Sequence, residues 1–244
     1  MMEATATEIK NNFGQYLEEV MANDSDVVIT RNGKKVARLT PYVSEIECYF
    51  TVKENAYDYT YGGKKVSYEE FLAINEQSSL RLEYINGEIV LMGSPNVMHQ
   101  MVLNRINNVF QRFFETAPCQ PFVAPFDVHL KKKNFSEPDI VQPDILVVCD
   151  LDKSVNEAGR YMGIPTLVVE ILSESTRSKD MVEKLNSYML SGIQEYWIID
   201  TKYNKMMVYE FVDASVERMK VVESGVCESF CFQGLSVATD KVFY

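Results

Sequence analysis

Histidine is scarce in this chain, two residues in 244, and no two of its five cysteines form a CxxC pair. A structural zinc site takes about four closely spaced ligands, and His99 and His129 with Cys48, Cys119, Cys149, Cys227 and Cys231 suggest none. The same odd, scattered cysteine set argues against a disulfide framework. No apolar run approaches the roughly 20 residues of a membrane-spanning helix. The opening Met1-Met2-Glu3-Ala4-Thr5 lacks the basic and then apolar layout of a signal peptide. A cytoplasmic location without a membrane partner is therefore expected. Positive charge is short as well: 24 Lys and Arg against 35 Asp and Glu leave a net charge of -11. Phosphate-backbone binding needs a local surplus of Lys and Arg, so a nucleic-acid partner would require a basic groove that the sequence does not display.

What is present is enough apolar material, 46% of the residues, for one or two packed domains. The first forty-odd residues form one unit: a strand at Glu3 to Ala6, a helix from about Thr7 to Met21, and two strands joined by Asn32-Gly33. Asn-Gly between apolar runs is a strong hairpin signal. Ile9, Phe13, Tyr16, Leu17 and Val20 recur at helical spacing, a stripe that can lie on the hairpin. The module is βαββ, over residues 1–42. Residues 43–65 are polar, tyrosine-rich and end in Gly62-Gly63, so they read as a linker.

A second domain, residues 66–244, opens on Ser67-Tyr68-Glu69-Glu70, a capping-box pattern. Asn86-Gly87 marks a second hairpin, and a helix follows from about Asn96 to Glu115 with Val102, Ile106, Val109, Phe110 and Phe113 on its apolar face. Strands are expected at Phe122 to Leu130, Asp144 to Cys149, Thr166 to Leu172, Glu195 to Asp200 and Met206 to Val212, with a weaker one at Met219 to Val222. A helix from Ser175 to Ser191, stopped by Gly192, separates the third from the fourth. This order gives an α/β (α+β) fold with a central mixed sheet and helices on both faces.

Two acids sit against near-continuous apolar runs, the mark of strands buried on both faces. Glu170 interrupts Leu167-Val168-Val169 and Ile171-Leu172, sharing a sheet face with Val168 and Leu172. An unpaired carboxylate there costs several kcal/mol or takes up a proton. Asp144 follows Pro143 and precedes Ile145-Leu146-Val147-Val148. If the two strands are neighbours, both acids converge at one end of the sheet, as a hard divalent cation requires. The plainer alternative is that Asp144 caps a turn and Glu170 forms a buried ion pair with a lysine or arginine.

Both domains resemble known families. The segment TATEIKNNFGQYLEEVMANDSDVVITRNGKKVARLTPY resembles the start of a Phd/YefM-type antitoxin. That resemblance implies dimerisation and operator-DNA binding; the family's toxin-neutralising tail has no counterpart here, so a toxin partner is unsupported. The segments RLEYINGEIVLMGSPNVMHQMVLNRI, QPDILVVCD, PTLVVEILSEST and DMVEKLNSYMLSGIQEYWIID resemble the Uma-type family of restriction endonucleases over residues 66–212. That family is assigned to the PD-(D/E)XK nuclease superfamily, whose restriction-endonuclease-like fold is a mixed sheet flanked by helices.

The resemblance makes Asp144 and Glu170 ligands of Mg²⁺, with Mn²⁺ a possible substitute. It places Glu88 in the family's "dGE" element, as a third metal ligand or a solvated strand residue. The superfamily asks for lysine two residues after the second acid, where this chain has Leu172. Lys184 is the best replacement, because Asp180 and Tyr188 stand four residues either side of it on one helical face; the alternative is an exposed Asp180–Lys184 salt bridge. His99 and Gln100 match a His-Gln pair of the family and are candidates for phosphate contact or proton transfer, or a structural helix start. Lys131-Lys132-Lys133 is either a DNA-backbone contact or a solvated run, and Tyr196 and Trp197 read as core.

The leading expectation is a Mg²⁺-dependent DNA endonuclease acting as a homodimer. Its competitors are a non-catalytic DNA-binding or toxin-antitoxin regulator with a degenerate nuclease domain, and a protein-interaction module.

Overall fold

The computed structural model describes residues 2–23, 27–39, 60–173, 177 and 179–244. The chain divides into two compact units, Met1–Cys48 and Tyr49–Tyr244. In the first, β1 (Met2–Thr5) runs parallel to β2 (Val27–Arg31), which turns into antiparallel β3 (Lys34–Leu39). Asn32 and Gly33 both have positive φ, 53° and 72°, the backbone that matches a two-residue turn to strand twist. The single helix expected at 7–21 is two, α1 (Ala6–Asn11) and α2 (Phe13–Asn23), because the chain leaves helical geometry at Asn12 with φ -131°. That break splits the apolar stripe. Ile9 and Val20 pack with Ala4 and Val27, with Tyr16 half-buried beside them, whereas Phe13 and Leu17 are exposed.

Residues 40–59, which include most of the expected linker, lie outside the described residues, and in the second unit Thr60–Lys65 is strand β4. Ser67 starts α3 (Tyr68–Gln77) through a capping box with Glu70. The hairpin β5 (Leu82–Ile85) and β6 (Glu88–Leu91) then joins β4 in an antiparallel sheet. After α4 (Val97–Phe114) come β7 (Gln120–Val123), β8 (Val128–Leu130), β9 (Asp139–Val141), β10 (Ile145–Val148), α5 (Leu151–Ser154) and β11 (Leu167–Ile171). A π-helical turn, Lys179–Lys184, runs into α6 (Leu185–Ser191), followed by β12 (Glu195–Asp200), β13 (Lys205–Val212), β14 (Ser215–Val222), β15 (Val226–Glu228), β16 (Ser236–Ala238) and α7 (Thr239–Phe243).

Six strands form the mixed central sheet in the order β14-β13-β12-β11-β10-β7, and five form the second in the order β4-β6-β5-β9-β8. The strand expected at 122–130 is therefore two, one in each sheet, since Pro125 lacks the N–H to continue a ladder. β11 and β12 run parallel, and β10 is antiparallel to β11.

Alternation along these strands assigns the two faces of the central sheet. Ile145, Val147, Val169, Ile171, Trp197 and Ile199 pack with α4 residues Val102, Ile106 and Phe110 and with Val242 and Phe243 of α7. Leu146, Val148, Val168, Leu172, Tyr196 and Ile198 pack on Tyr188 of α6 and on Ile85, Val90, Val128, Leu130 and Val141 of the second sheet. The central sheet is thus flanked by helices as expected, but one face is covered by a second sheet as much as by a helix. Each fully buried Val, Leu or Ile contributes about 1.5–3 kcal/mol, whereas an unpaired carboxylate buried among them costs several kcal/mol, so the acids there must be paired.

The sequence argues against a disulfide framework, and among the described residues the structure has a single bridge that the sequence did not anticipate, between Cys119 and Cys149. They end the adjacent antiparallel strands β7 and β10, one step beyond the Gln120–Val148 register pair, with Cα atoms 4.0 Å apart. A separation of 30 residues hid a pairing that only the strand register creates. Cys227 and Cys231 are free. Among the described residues no helix is long and apolar enough to cross a membrane.

Candidate active site

The register of β10 on β11 pairs Ile145 with Val169, and one further step sets Asp144 opposite Glu170. The two acids stand on neighbouring strands at one end of the central sheet. Asp144 is held there by its backbone surroundings: its Oδ2 accepts the Ile171 N–H at 2.7 Å and lies 3.2 Å from His99 Nε2. His99 comes from the first turn of α4, whose N-cap Asn96 accepts the His99 N–H. Burial pulls the His99 imidazole pKa down, but its contact with Asp144 outweighs that and holds it above its ordinary value.

Glu170 is 4% exposed and points to the face shared with Val168 and Leu172. Its Oε1 accepts Lys184 Nζ at 2.9 Å and the Tyr188 hydroxyl at 2.6 Å. Asp180, Lys184 and Tyr188 do share one helical face, and all three are buried, so the Asp180–Lys184 pair is not a surface salt bridge. The π-helical turn carries the first two inward; such turns are frequent at functional sites. Leu172, at the superfamily's lysine position, is packed in the core, and the buried lysine beside Glu170 comes from the following helix instead. Glu170 therefore forms the buried ion pair of the plainer reading, and the strand register also sets it opposite Asp144.

The residue that the sequence reading missed is Glu83, on β5. It is 1% exposed, its Oε1 accepts Lys184 Nζ at 2.9 Å, and the same oxygen accepts the Gln142 N–H. The signal was available: like Glu170, Glu83 interrupts an apolar run, Leu82-Tyr84-Ile85. Glu88 attracted the reading instead. It lies outside the cavity that Asp144 and Glu170 line, with its carboxylate 3.9 Å from Lys179 Nζ. Of the lysine run, Lys132 is buried against Asp139 and Asn86 rather than presented to solvent. Tyr196 and Trp197 are fully buried core.

Asn96, His99, Gln100, Asp144, Glu170, Asp180 and Lys184 line one cavity of about 380 Å³, with Arg81 and Asn104 also on its wall. Its electrostatics are lopsided. Burial, reinforced by Asp180, Asp144 and Glu83, pushes the Glu170 carboxyl well above the usual range against the pull of Lys184. Burial works against the Lys184 ammonium, yet Glu170, Glu83 and Asp180 outweigh it and keep the lysine charged. Glu83, Glu170 and Asp180 surround the one buried lysine and Asp144 stands opposite Glu170, a cluster of acids whose charge a divalent cation would offset. A Mg²⁺-type ion uses one or two carboxylates together with water and substrate oxygens, and Asp144 and Glu170 are the carboxylates that could contribute to one. They do not form a complete protein cage, since among the described residues no group of three or more His, Cys, Asp or Glu is arranged to hold a metal.

Comparison with known proteins agrees with this architecture. Residues 1–47 match the family model "Antitoxin Phd_YefM, type II toxin-antitoxin system". Two uncharacterized proteins of Synechocystis sp. (strain ATCC 27184 / PCC 6803 / Kazusa) are 26% identical over 146 residues, covering 59% of this chain and 74% of the relative, and 23% identical over 132 residues, covering 54% and 72%. A crystal structure from Anabaena variabilis, described as "a putative nuclease belonging to DUF820", superposes with a TM-score of 0.60 at 19% identity. It covers 73% of this chain and 97% of that one, and at that identity the likeness is one of fold. The family model Uma2, "Putative restriction endonuclease", matches residues 68–239, well over half of the chain, and the protein belongs to that family.

Proposed function

We propose that this protein is a Mg²⁺-dependent endonuclease that hydrolyses phosphodiester bonds in DNA, with Mn²⁺ able to replace Mg²⁺. The observation that carries the reading is the meeting of Asp144, Glu170 and Lys184 in one cavity, although the motif position for lysine holds Leu172. Asp144 and Glu170 would hold the ion. When bound, it supplies Lewis acidity and makes the attacking water more acidic.

The chain's own groups do the rest. Lys184, kept charged by its three carboxylates, sets its positive charge on the cavity wall beside Glu170, where it would offset negative charge growing on the phosphoryl oxygens. Glu83 and Tyr188 hold Lys184 and Glu170 in place, so little reorganisation is needed as that charge develops. The Ile171 N–H and His99 fix the Asp144 carboxylate. Gln100 and Asn104, on the cavity wall, offer neutral donors to a phosphate. The test is cleavage of supercoiled plasmid by the full chain in Mg²⁺, Mn²⁺ or EDTA. Nicking with either metal and none in EDTA is expected; cleavage in EDTA, or equal cleavage by Asp144→Ala, sinks the proposal.

A second reading is supported by the match of residues 1–47 and by the exposed cations Arg31, Lys34 and Lys35 on the β2–β3 hairpin. It makes the chain a DNA-binding regulator. Duplex binding without metal, falling steeply with salt and unchanged in Asp144→Ala, would favour it.

A further inference from the structure

Beside the catalytic cavity lies a second one of about 290 Å³, lined by Arg177, Met181, Asp200, Tyr203, Lys205 and Met207. The two share a wall. Along the segment that follows β11, Asp180 and Lys184 line the catalytic cavity, whereas Arg177 and Met181 line the other. The parallel register of β11 and β12 puts both cavities at the same sheet end: Glu170 pairs with Ile198, and Asp200 is two residues further on, about 7 Å along the strand.

The second cavity is organised by Asp200, whose side chain is 2% exposed. One carboxylate oxygen accepts the Lys202 and Tyr203 N–H groups and so fixes the β12–β13 turn; the other accepts Arg177 Nη2 at 2.5 Å. This fixed turn presents the Tyr203 ring, 57% exposed, with the Arg177 guanidinium 5.3 Å and the Lys202 ammonium 6.0 Å from its centroid. Lys205, also in the lining, pairs with Glu223. A guanidinium has five N–H donors, more than its contact with Asp200 uses. Arg177 and Lys202 thus face an exposed aromatic ring, while Arg177 and Lys205 are each also paired with a carboxylate, Asp200 and Glu223. Ring and cations together match a nucleotide, whose base offers a π-face and whose phosphate offers anionic oxygens.

We infer that this cavity docks an unpaired nucleotide of the substrate DNA strand, with its base stacked on Tyr203 and its phosphate on Arg177 and Lys202. The inference rests on the reading of the adjoining cavity as a phosphodiester site and narrows its substrate to DNA with single-stranded character. The substrate would be a flap, a loop or a strand opened next to the cleavage point.

The test is fluorescence anisotropy in EDTA with the full chain, a labelled oligothymidylate of about 12 nucleotides, which is within single-strand site sizes, and a blunt duplex of equal length. Tyr203→Ala is expected to bind the oligothymidylate roughly tenfold more weakly, Tyr203→Phe to stay within about twofold of the parent, and duplex binding to be unchanged. Equal binding by Tyr203→Ala, an equal loss in Tyr203→Phe, or no binding of the oligothymidylate at all overturns the inference. Plasmid cleavage separates it from the reading on which it rests. Tyr203-dependent binding without metal-dependent cleavage leaves the docking site standing and removes the nuclease, whereas cleavage without Tyr203-dependent binding does the reverse.

Discussion

Replacing Lys184 with methionine removes the one ammonium that lies 2.9 Å from both Glu83 and Glu170 and 3.6 Å from Asp180, in a cluster whose side chains are at most 5% exposed. Breaking a buried ion pair by deleting one partner costs about 3–5 kcal/mol, because the remaining charge is left in a poorly solvating interior. Two features of the site place the cost at the lower end. The Gln142 N–H and the Tyr188 hydroxyl still donate to the orphaned carboxylates. Glu170, already pushed above the usual range by burial and its acidic neighbours, can take up a proton.

We expect a loss of about 3 kcal/mol at neutral pH, a fall in Tm of roughly 6–12 °C for a unit of this size. The sign of its pH dependence follows. A carboxyl whose folded pKa is raised destabilises the fold increasingly as pH rises above its unfolded value and through its folded one. The deficit of Lys184→Met therefore shrinks in acid, and Lys184→Met/Glu83→Gln recovers part of it by removing one orphaned charge. Urea unfolding followed by fluorescence of Trp197, the one tryptophan and fully buried in this unit, measures all three proteins. A loss under about 1 kcal/mol with no pH dependence would refute the reasoning, since that is the range of a solvated surface pair.

Glu83→Gln keeps the shape of the site but weakens the hold on Lys184; kcat for plasmid cleavage is expected to fall at least tenfold with little change in KM, and an unchanged kcat contradicts the positioning role. Glu88→Ala, outside the cavity, is expected to cleave within about twofold of the parent, the size of an ordinary surface change; a loss comparable to Asp144→Ala would restore Glu88 as a ligand. Reducing the Cys119–Cys149 disulfide opens a 30-residue loop and is expected to cost up to about 3.6 kcal/mol, read as a Tm difference with and without reductant that disappears in Cys119→Ser. Burial tends to raise the Asp200 carboxyl pKa, but Arg177 and the Tyr203 and Lys202 N–H groups outweigh it and hold it below the usual range. Its contribution is thus complete above the unfolded pKa of about 3.9 and is lost as pH falls through the folded value. Asp200→Asn should flatten the acid limb of the stability curve, and an identical acid limb would contradict this.

Much of the candidate site was legible because acids inside apolar runs are costly. Glu170 announced itself in that way, and Pro143-Asp144 marked the strand beside it. Lys184 was sought because the resemblance asks for a lysine that position 172 lacks, and helical spacing with Asp180 and Tyr188 picked it out; that face is buried, not the exposed salt bridge of the alternative. Glu83 carries the same signature as Glu170 and was passed over in favour of Glu88, because a motif resemblance drew more weight than burial did. Two features depend on tertiary pairing and leave no local trace, the second sheet over the central one and the disulfide across β7 and β10, whereas the division of 122–130 between two sheets had a local mark in Pro125. The break at Asn12 was hidden because Phe13 and Leu17 keep helical spacing although they face solvent.

The central claim is that Asp144 and Glu170 hold a divalent cation beside Lys184. Its most direct test is calorimetric titration of Mn²⁺ into the full chain, alongside Asp144→Asn and Glu170→Gln variants whose folding is verified by Trp197 fluorescence. The account predicts saturable binding by the parent protein and its loss in both variants; undiminished binding in either, or none in the parent, would contradict it.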